Sequence, residues 1–414
     1  MAIVLENPTR QVVLSGVLVL AALLLFFSTR DFVASKLAAN DDQSHLGLAI
    51  RLAPGNAEYQ YRLGKLLAFV QNDPAAALQY YKSAVSLNPH NARYWLDLAA
   101  AYQVNGDTSA QRQALESAVH ANPTNPDVGW EAGNFFLVQG ENELAFKQLR
   151  VVLENQPNMA GLALQLCWRV SPDVDSLLAN VVPPTTEANI AFLQLLMSKK
   201  DTAGAIKVWQ RLVALRRPFD NRHLFEYVKF LIADHQVEPA RLAWRQGADL
   251  LGLSAYLPSS NLIVNGQFSQ EPLDGGFDWN YQPQRWVTLT LDPTQFHSGH
   301  RSLSIAFDGA GISDAGFYQL VPVQPGKEYD FEAFYKSDEF QGAGGPVLTV
   351  RDFYGGQSLF TSEELKNSEV WKPVQGTVTA GPDTQLLVVR IERIPPGNAI
   401  RGRLWVDDFD LAPR

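Results

Sequence analysis

The chain has 414 residues, 46% of them apolar and only 19% charged, with a formal net charge of −9. At roughly 150 residues per domain this length suggests two or three domains, each with its own core, and long disordered tracts are excluded. The acidic balance argues against non-specific nucleic-acid binding, and the one cysteine, Cys167, excludes a disulfide framework or a multi-cysteine zinc site.

Between Arg10 and Arg30 the run QVVLSGVLVLAALLLFFST holds 19 residues without a charge. About 20 apolar residues cross a bilayer as a helix, so residues 1–39 are expected to form a short tail and one transmembrane helix. The run ends in Leu23-Leu24-Leu25-Phe26-Phe27, bulky where a signal peptidase wants small residues, which favours an uncleaved anchor. Ala34-Ser35 and Ala38-Ala39 are the sites a later cut would use. Arg10 precedes the span and Arg30, Asp31 and Lys36 follow it; the ten-residue tail is expected inside and the C-terminal bulk outside the cytoplasm, in the periplasm.

Next comes a repeat. Ala53-Pro54-Gly55-Asn56, Asn88-Pro89-His90-Asn91, Asn122-Pro123-Thr124-Asn125 and Gln156-Pro157-Asn158 recur at spacings of 35, 34 and 34. Proline cannot continue a helix, so each ends one and opens the next. Within each period small and large apolar residues hold fixed offsets: Leu63, Gly64, Leu67, Ala77, Tyr81 and Ala84; Trp95, Leu98, Ala99, Tyr102, Leu115 and Ala118; Ala132, Gly133, Phe136, Ala145, Leu149 and Val152. A small residue on one helix lets a large one on its partner approach, so each repeat is expected to close as a helical hairpin.

This code over residues 57–157 resembles the tetratricopeptide repeat family, with two departures: Gln111 stands where the family prefers alanine, and the first repeat carries one extra residue. A weaker echo pairs Ala205 and Trp209 with Ala240 and Trp244, 35 residues on. Residues 40–255 therefore read as one α-solenoid, with residues 45–52 as a lone capping helix and Ser171–Thr186 as a break or loop. Stacked helix pairs leave a long concave face, so a protein partner is expected there. Trp95, Tyr102, Tyr81 and Trp130 fall at or beside packing positions and read as core.

After Leu257-Pro258-Ser259-Ser260 the helical period stops. Strand-like runs follow at Trp286–Leu291, Ser302–Phe307, Gly316–Val321, Tyr329–Tyr335, Val347–Phe353, Lys372–Val378, Gln385–Ile391 and Arg403–Leu411, which argues for a β-sandwich. This part is the acidic one: residues 261–414 hold 20 acidic and 12 basic residues, against 23 and 22 in residues 1–260.

The phrases Asn261-Leu262-Ile263-Val264-Asn265-Gly266-Gln267-Phe268, Phe277-Asp278-Trp279, His297-Ser298-Gly299-His300-Arg301-Ser302-Leu303, Val323-Gln324-Pro325-Gly326-Lys327-Glu328-Tyr329 and Leu404-Trp405-Val406-Asp407-Asp408-Phe409 resemble, in this order, the galactose-binding-like jelly rolls, in particular carbohydrate-binding modules. The resemblance covers residues 259–414 and implies two sites. One is a structural calcium at Asp407 and Asp408, although Ser269 stands where the family's partner motif usually carries an acid. The other is a sugar face, where aromatic rings stack on pyranose rings and polar groups meet hydroxyls. Its candidates are Trp279, Tyr281, Trp286, Tyr318, Tyr354 and Trp371, with Tyr335 also available and Asp278, Arg351, Asp352 and Gln319 as polar neighbours. Strand alternation allows at most half of the aromatics onto one groove.

No G-x-S-x-G, H-E-x-x-H or C-x-x-C is present. The reading is an all-α tetratricopeptide-like solenoid followed by an all-β jelly-roll sandwich, preceded by one transmembrane helix. The expected role is non-catalytic: the solenoid recruits a protein, and the sandwich contacts glycan in exopolysaccharide or cell-envelope assembly. The rivals are a pure protein scaffold and a glycan-active enzyme whose acids face each other across an unrecognised cleft.

Overall fold

A computed structural model describes residues 8–414, with side chains from Gln11 onward. Of the ten-residue tail expected inside the cytoplasm, residues 1–7 lie outside the described residues and Pro8–Arg10 open α1. The chain divides into two compact units, Met1–Phe192 and Leu193–Arg414.

In the first unit the helices are α1 (Pro8–Ala38), α2 (Gln43–Leu52), α3 (Ala57–Lys65), α4 (Pro74–Leu87), α5 (Ala92–Val104), α6 (Thr108–Ala121), α7 (Pro126–Val138), α8 (Asn142–Asn155), α9 (Ala160–Val170) and α10 (Val174–Asn180); α11 (Thr186–Lys199) crosses the division. The repeated asparagines explain the punctuation. Asn56, Asn91 and Asn125 sit at helix N-caps and accept the first free backbone N–H groups of α3, α5 and α7. Asp73 and Asp107 do the same for α4 and α6. The small/large code packs as expected: a Cβ built on Gly64 would lie 2.9 Å from the Tyr81 ring, and one on Gly133 would lie 2.8 Å from Leu149.

The extra residue of the first repeat is absorbed in a π-helical turn, Leu66–Val70, that prolongs α3 and is closed by the Gln71 N–H to the Leu66 carbonyl. A wider i→i+5 turn holds one residue more without shifting the helices around it. Two other expectations change. The helix at residues 45–52 is not a lone cap: α2 packs against the end of α1, where Ala34 and Ala38 are buried. The stretch Ser171–Thr186 contains α10, because Asp173 caps its start and Leu177 is buried.

The second unit holds α12 (Thr202–Ala214), α13 (Asn221–Ala233), α14 (Val237–Leu251) and the sandwich. Its strands are β1 (Trp279–Tyr281), β2 (Val287–Asp292), β3 (Ser302–Gly311), β4 (Asp314–Pro322), β5 (Glu328–Gln341), β6 (Pro346–Asp352), β7 (Ser358–Thr361), β8 (Ser368–Thr379), β9 (Leu386–Arg393) and β10 (Ala399–Pro413). They form two five-stranded antiparallel sheets, ordered β1-β4-β9-β6-β7 and β2-β3-β10-β5-β8. Alternate residues such as Phe317, Val321, Leu387, Val389, Leu348 and Val350 fill the core from the first sheet; Ile305, Phe307, Phe331, Leu404 and Val406 fill it from the second. The short strands β1 and β7 carry too few residues for an alternating pattern to show in the sequence.

The helices dock on the loops at one end of the first sheet. Phe225 of α13 packs against Gly275, and Trp244 of α14 packs against Gly276, whose φ is +61°. Between β6 and β7 the Tyr354 hydroxyl donates to the Ile232 carbonyl at 2.7 Å, while its ring stacks on His235 at 4.1 Å. Tyr256 donates its hydroxyl to the Glu271 carbonyl at 2.8 Å.

Candidate functional site

The first sheet carries a polar band on its outer surface. Register aligns Asn280 of β1, Tyr318 of β4 and Arg390 of β9 in one row, with Asp314 opposite Glu392 one pair along; Thr349 of β6 continues the row but is fully buried. The charges lock one another. Arg390 pairs with Asp314 and lies 3.6 Å from Glu392; Arg351 reaches Glu392 at 2.8 Å. Two guanidinium groups and two carboxylates thus form a neutral cluster on the sheet, in which Arg390 Nε is buried without a hydrogen-bond partner. Tyr318 offers the aromatic surface beside it. Burial, then the nearby Asp274 charge, pushes its hydroxyl above the ordinary phenol range, so it stays a neutral donor. A neutral, partly buried cluster of pre-oriented polar groups loses little side-chain entropy when hydroxyl-rich ligands bind at it.

The six aromatic candidates do not converge. Tyr318 alone stands in the polar band. Trp279 is a correction: it is 1% exposed, stacks on Phe317 at 4.6 Å and donates its indole N–H to the Asn265 carbonyl, so it is core and has no free face. Tyr354 is committed to α13 and His235, a second correction. Tyr281 lies exposed at the sheet edge. Trp286 and Trp371 belong to the other sheet, at its opposite edges: Trp286 just before β2 under the Arg285 guanidinium, Trp371 on β8 with its ring 5.9 Å from that of His297 and inclined to it by 62°. Among the polar neighbours, Gln319 and Asp278 are buried, Gln319 bridging the backbone N–H and carbonyl of Val264. Asp352 caps the Tyr354 loop. Arg390 and Glu392 were missed; two charges spaced i, i+2 in an otherwise apolar strand are the signal that marks them.

Asp407 and Asp408 form a clasp. Asp407 accepts the backbone N–H groups of His297 at 2.8 Å and Ser298 at 3.3 Å with one oxygen, and that of Asp408 at 2.8 Å with the other. Asp408 accepts the Ser298 hydroxyl at 2.6 Å and meets His297 Nδ1 at 2.5 Å. The His297 ring stacks on Phe334 at 3.7 Å. Three of the four carboxylate oxygens are engaged by the His297-Ser298 loop, and the fourth by the backbone N–H of Asp408. Calcium takes six to eight oxygen ligands; here the two carboxylates hold the His297-Ser298 loop against β10 of the second sheet.

The first unit has a separate cavity of about 260 Å³ between α5, α6 and α7, lined by Arg93, Asp97, Gln111, Asp127, Trp130 and Glu131 among others. Arg93 lies 3.5 Å from Asp97, which also accepts the Tyr61 hydroxyl at 2.6 Å. The position of Trp130, half-buried on this wall, differs from the core role read in the sequence.

Residues 68–128 match the tetratricopeptide repeat family, and residues 260–397 match a carbohydrate binding domain family. No curated protein matches the chain. Solved structures similar to it include a CBM4 module (15% identity, 37% of this chain and 99% of that one, TM-score 0.29). Others are TmCBM61 in complex with β-1,4-galactotriose (18%, 38% and 100%, 0.28) and YrrB, a TPR protein with an unusual peptide-binding site (16%, 51% and 93%, 0.26). The chain carries tetratricopeptide repeats in its N-terminal half and a sandwich of the carbohydrate-binding-module kind in its C-terminal half, behind one apolar helix.

Proposed function

We propose that this is a non-catalytic, membrane-anchored adaptor of the cell envelope, in which residues 1–39 anchor, residues 40–255 bind a protein partner and residues 259–414 bind glycan. The observation that carries the glycan reading is the neutral band around Tyr318, Arg390, Arg351 and Glu392 on a sandwich matched to a carbohydrate binding domain family. Its charges cancel internally, so uncharged polysaccharides are the ligands it suits. The protein-binding reading rests on the repeat match and on the Trp130 cavity between consecutive repeats. The anchor reading rests on the apolar stretch of α1, whose mean hydropathy is 2.6 with no part of it buried. The bulk of the chain then lies in the periplasm. A place in exopolysaccharide or cell-envelope assembly follows from joining an anchor, a protein-recruiting array and a glycan-contacting module.

The scaffold rival draws support from Tyr354 and the Gly275-Gly276 loop, which the sandwich spends on its own helices. Affinity electrophoresis of the soluble chain, the protein without residues 1–30, in gels cast with neutral polysaccharides separates the two. Retardation by at least one neutral polymer, and none by a polyanion of equal size, is the expected result. Mobility unchanged in every gel supports the scaffold.

A further inference from the structure

We infer that the inter-repeat turns of the first repeats form a lipid-facing surface that lies on the headgroup layer of a zwitterionic bilayer. This rests on α1 being the membrane anchor and goes beyond it. The helix is continuous from Pro8 to Ala38, and no linker separates span from array. Its uncharged run of 19 residues measures about 28 Å as a helix, close to the hydrocarbon thickness, so Arg30 marks the bilayer surface. One turn later Ala34 is already buried, as is Ala38, where α1 packs on α2 in the core cluster that continues into the first repeat.

The array's two faces follow from this. The helix α1 runs away from the membrane, α2 returns, α3 leaves and α4 returns, so the 53–56 and 88–91 turns lie at the level where α1 emerges. A cavity of about 590 Å³ joins them, lined by Arg30, Asp31, Asn56, Glu58, Tyr59 and Tyr94 among others. Chemistry separates the faces as well. The near turns, Ala53-Pro54-Gly55-Asn56, Asn88-Pro89-His90-Asn91 and Asn122-Pro123-Thr124-Asn125, contain no Lys, Arg, Asp or Glu. The far turns each carry an acid at the cap: Asp73, Asp107 and Glu141. Neutral amide-rich turns can hydrogen-bond phosphodiester and ester oxygens without a cationic patch, which an anionic membrane would call for. In the cavity Arg30 pairs with Asp31 at 2.8 Å, and Glu58, on the same lining, accepts the Tyr94 hydroxyl at 2.8 Å. Opposed charges beside tyrosine rings suit a headgroup that carries both a phosphate and an amine.

The test uses the full chain with Cys167→Ala, reconstituted in phosphatidylcholine vesicles that carry a nitroxide on the headgroup. Fluorophores are placed singly through Gly55→Cys and His90→Cys on the near turns, and through Val104→Cys and Val138→Cys at the far ends of α5 and α7. The far labels sit about 20 Å further from the lipid by helix length, so near labels are expected to be quenched at least about two-fold and far labels hardly at all. Adding anionic lipid should leave that ratio unchanged. Equal quenching at all four sites, or none at the near ones, in protein that stays in the membrane after an alkaline wash overturns the inference and leaves the anchor standing. Protein lost from the vesicles in that wash overturns both.

Discussion

Gly64 and Tyr81 show how a repeat closes at the level of single atoms: the ring occupies the space a β-carbon would need. Gly64→Val should therefore overpack α3 against α4 and cost about 1–3 kcal/mol, read as a lower melting temperature of the helical signal. An unchanged melting temperature would mean the hairpin yields there. Asp278 sets a pH dependence. Burial raises its carboxyl from 3.8 to about 6, and Asp407 is raised to about 6 for the same reason. A folded value above the unfolded one means the native state keeps a proton that the unfolded chain has released. Stability is then highest below about pH 4 as far as these groups go, and is lost as pH rises through about 6. The sandwich should melt at a higher temperature near pH 5 than near pH 7.5, and Asp278→Asn should flatten that difference. A steeper difference in the variant would contradict this account.

Among elements, α1 has two jobs on one helix. Residues 11–29 are exposed and carry no charge, while Ala34 and Ala38 belong to the core of the repeats. Removing residues 1–30 should release the protein into the soluble fraction with its melting temperature intact. Removing residues 1–39 should lower it, because α2 then loses the helix it packs against. If the 1–30 truncation still pellets with membranes, the anchor fails. The Tyr354 clasp gives a smaller effect: Tyr354→Phe removes one hydrogen bond to α13 and should cost about 1 kcal/mol, measured by denaturant unfolding. The hairpins and most strands were legible because their apolar period exceeds a full turn or several alternations. The short strands, α10, and the second role of α1 were not, because each depends on a partner distant in sequence.

At the scale of the whole molecule, the sequence marked a sugar face by its aromatic residues, and the structure disperses them. Aromatic residues favour burial wherever a core will take them, as Trp279 shows. Which face a strand residue takes is fixed by pairing, so the row of Asn280, Tyr318 and Arg390 emerges only when β1, β4 and β9 are aligned. The proposed glycan binding therefore falls on that row. Its direct test is titration calorimetry of the soluble chain with the neutral polysaccharide that retards it most, comparing the parent with Tyr318→Ala and with Trp371→Ala. The expected result is a loss of at least about tenfold in affinity for Tyr318→Ala, or about 1.4 kcal/mol, with Trp371→Ala unchanged. Parent-like affinity in Tyr318→Ala, with the loss in Trp371→Ala instead, would contradict it and move the site to the other sheet.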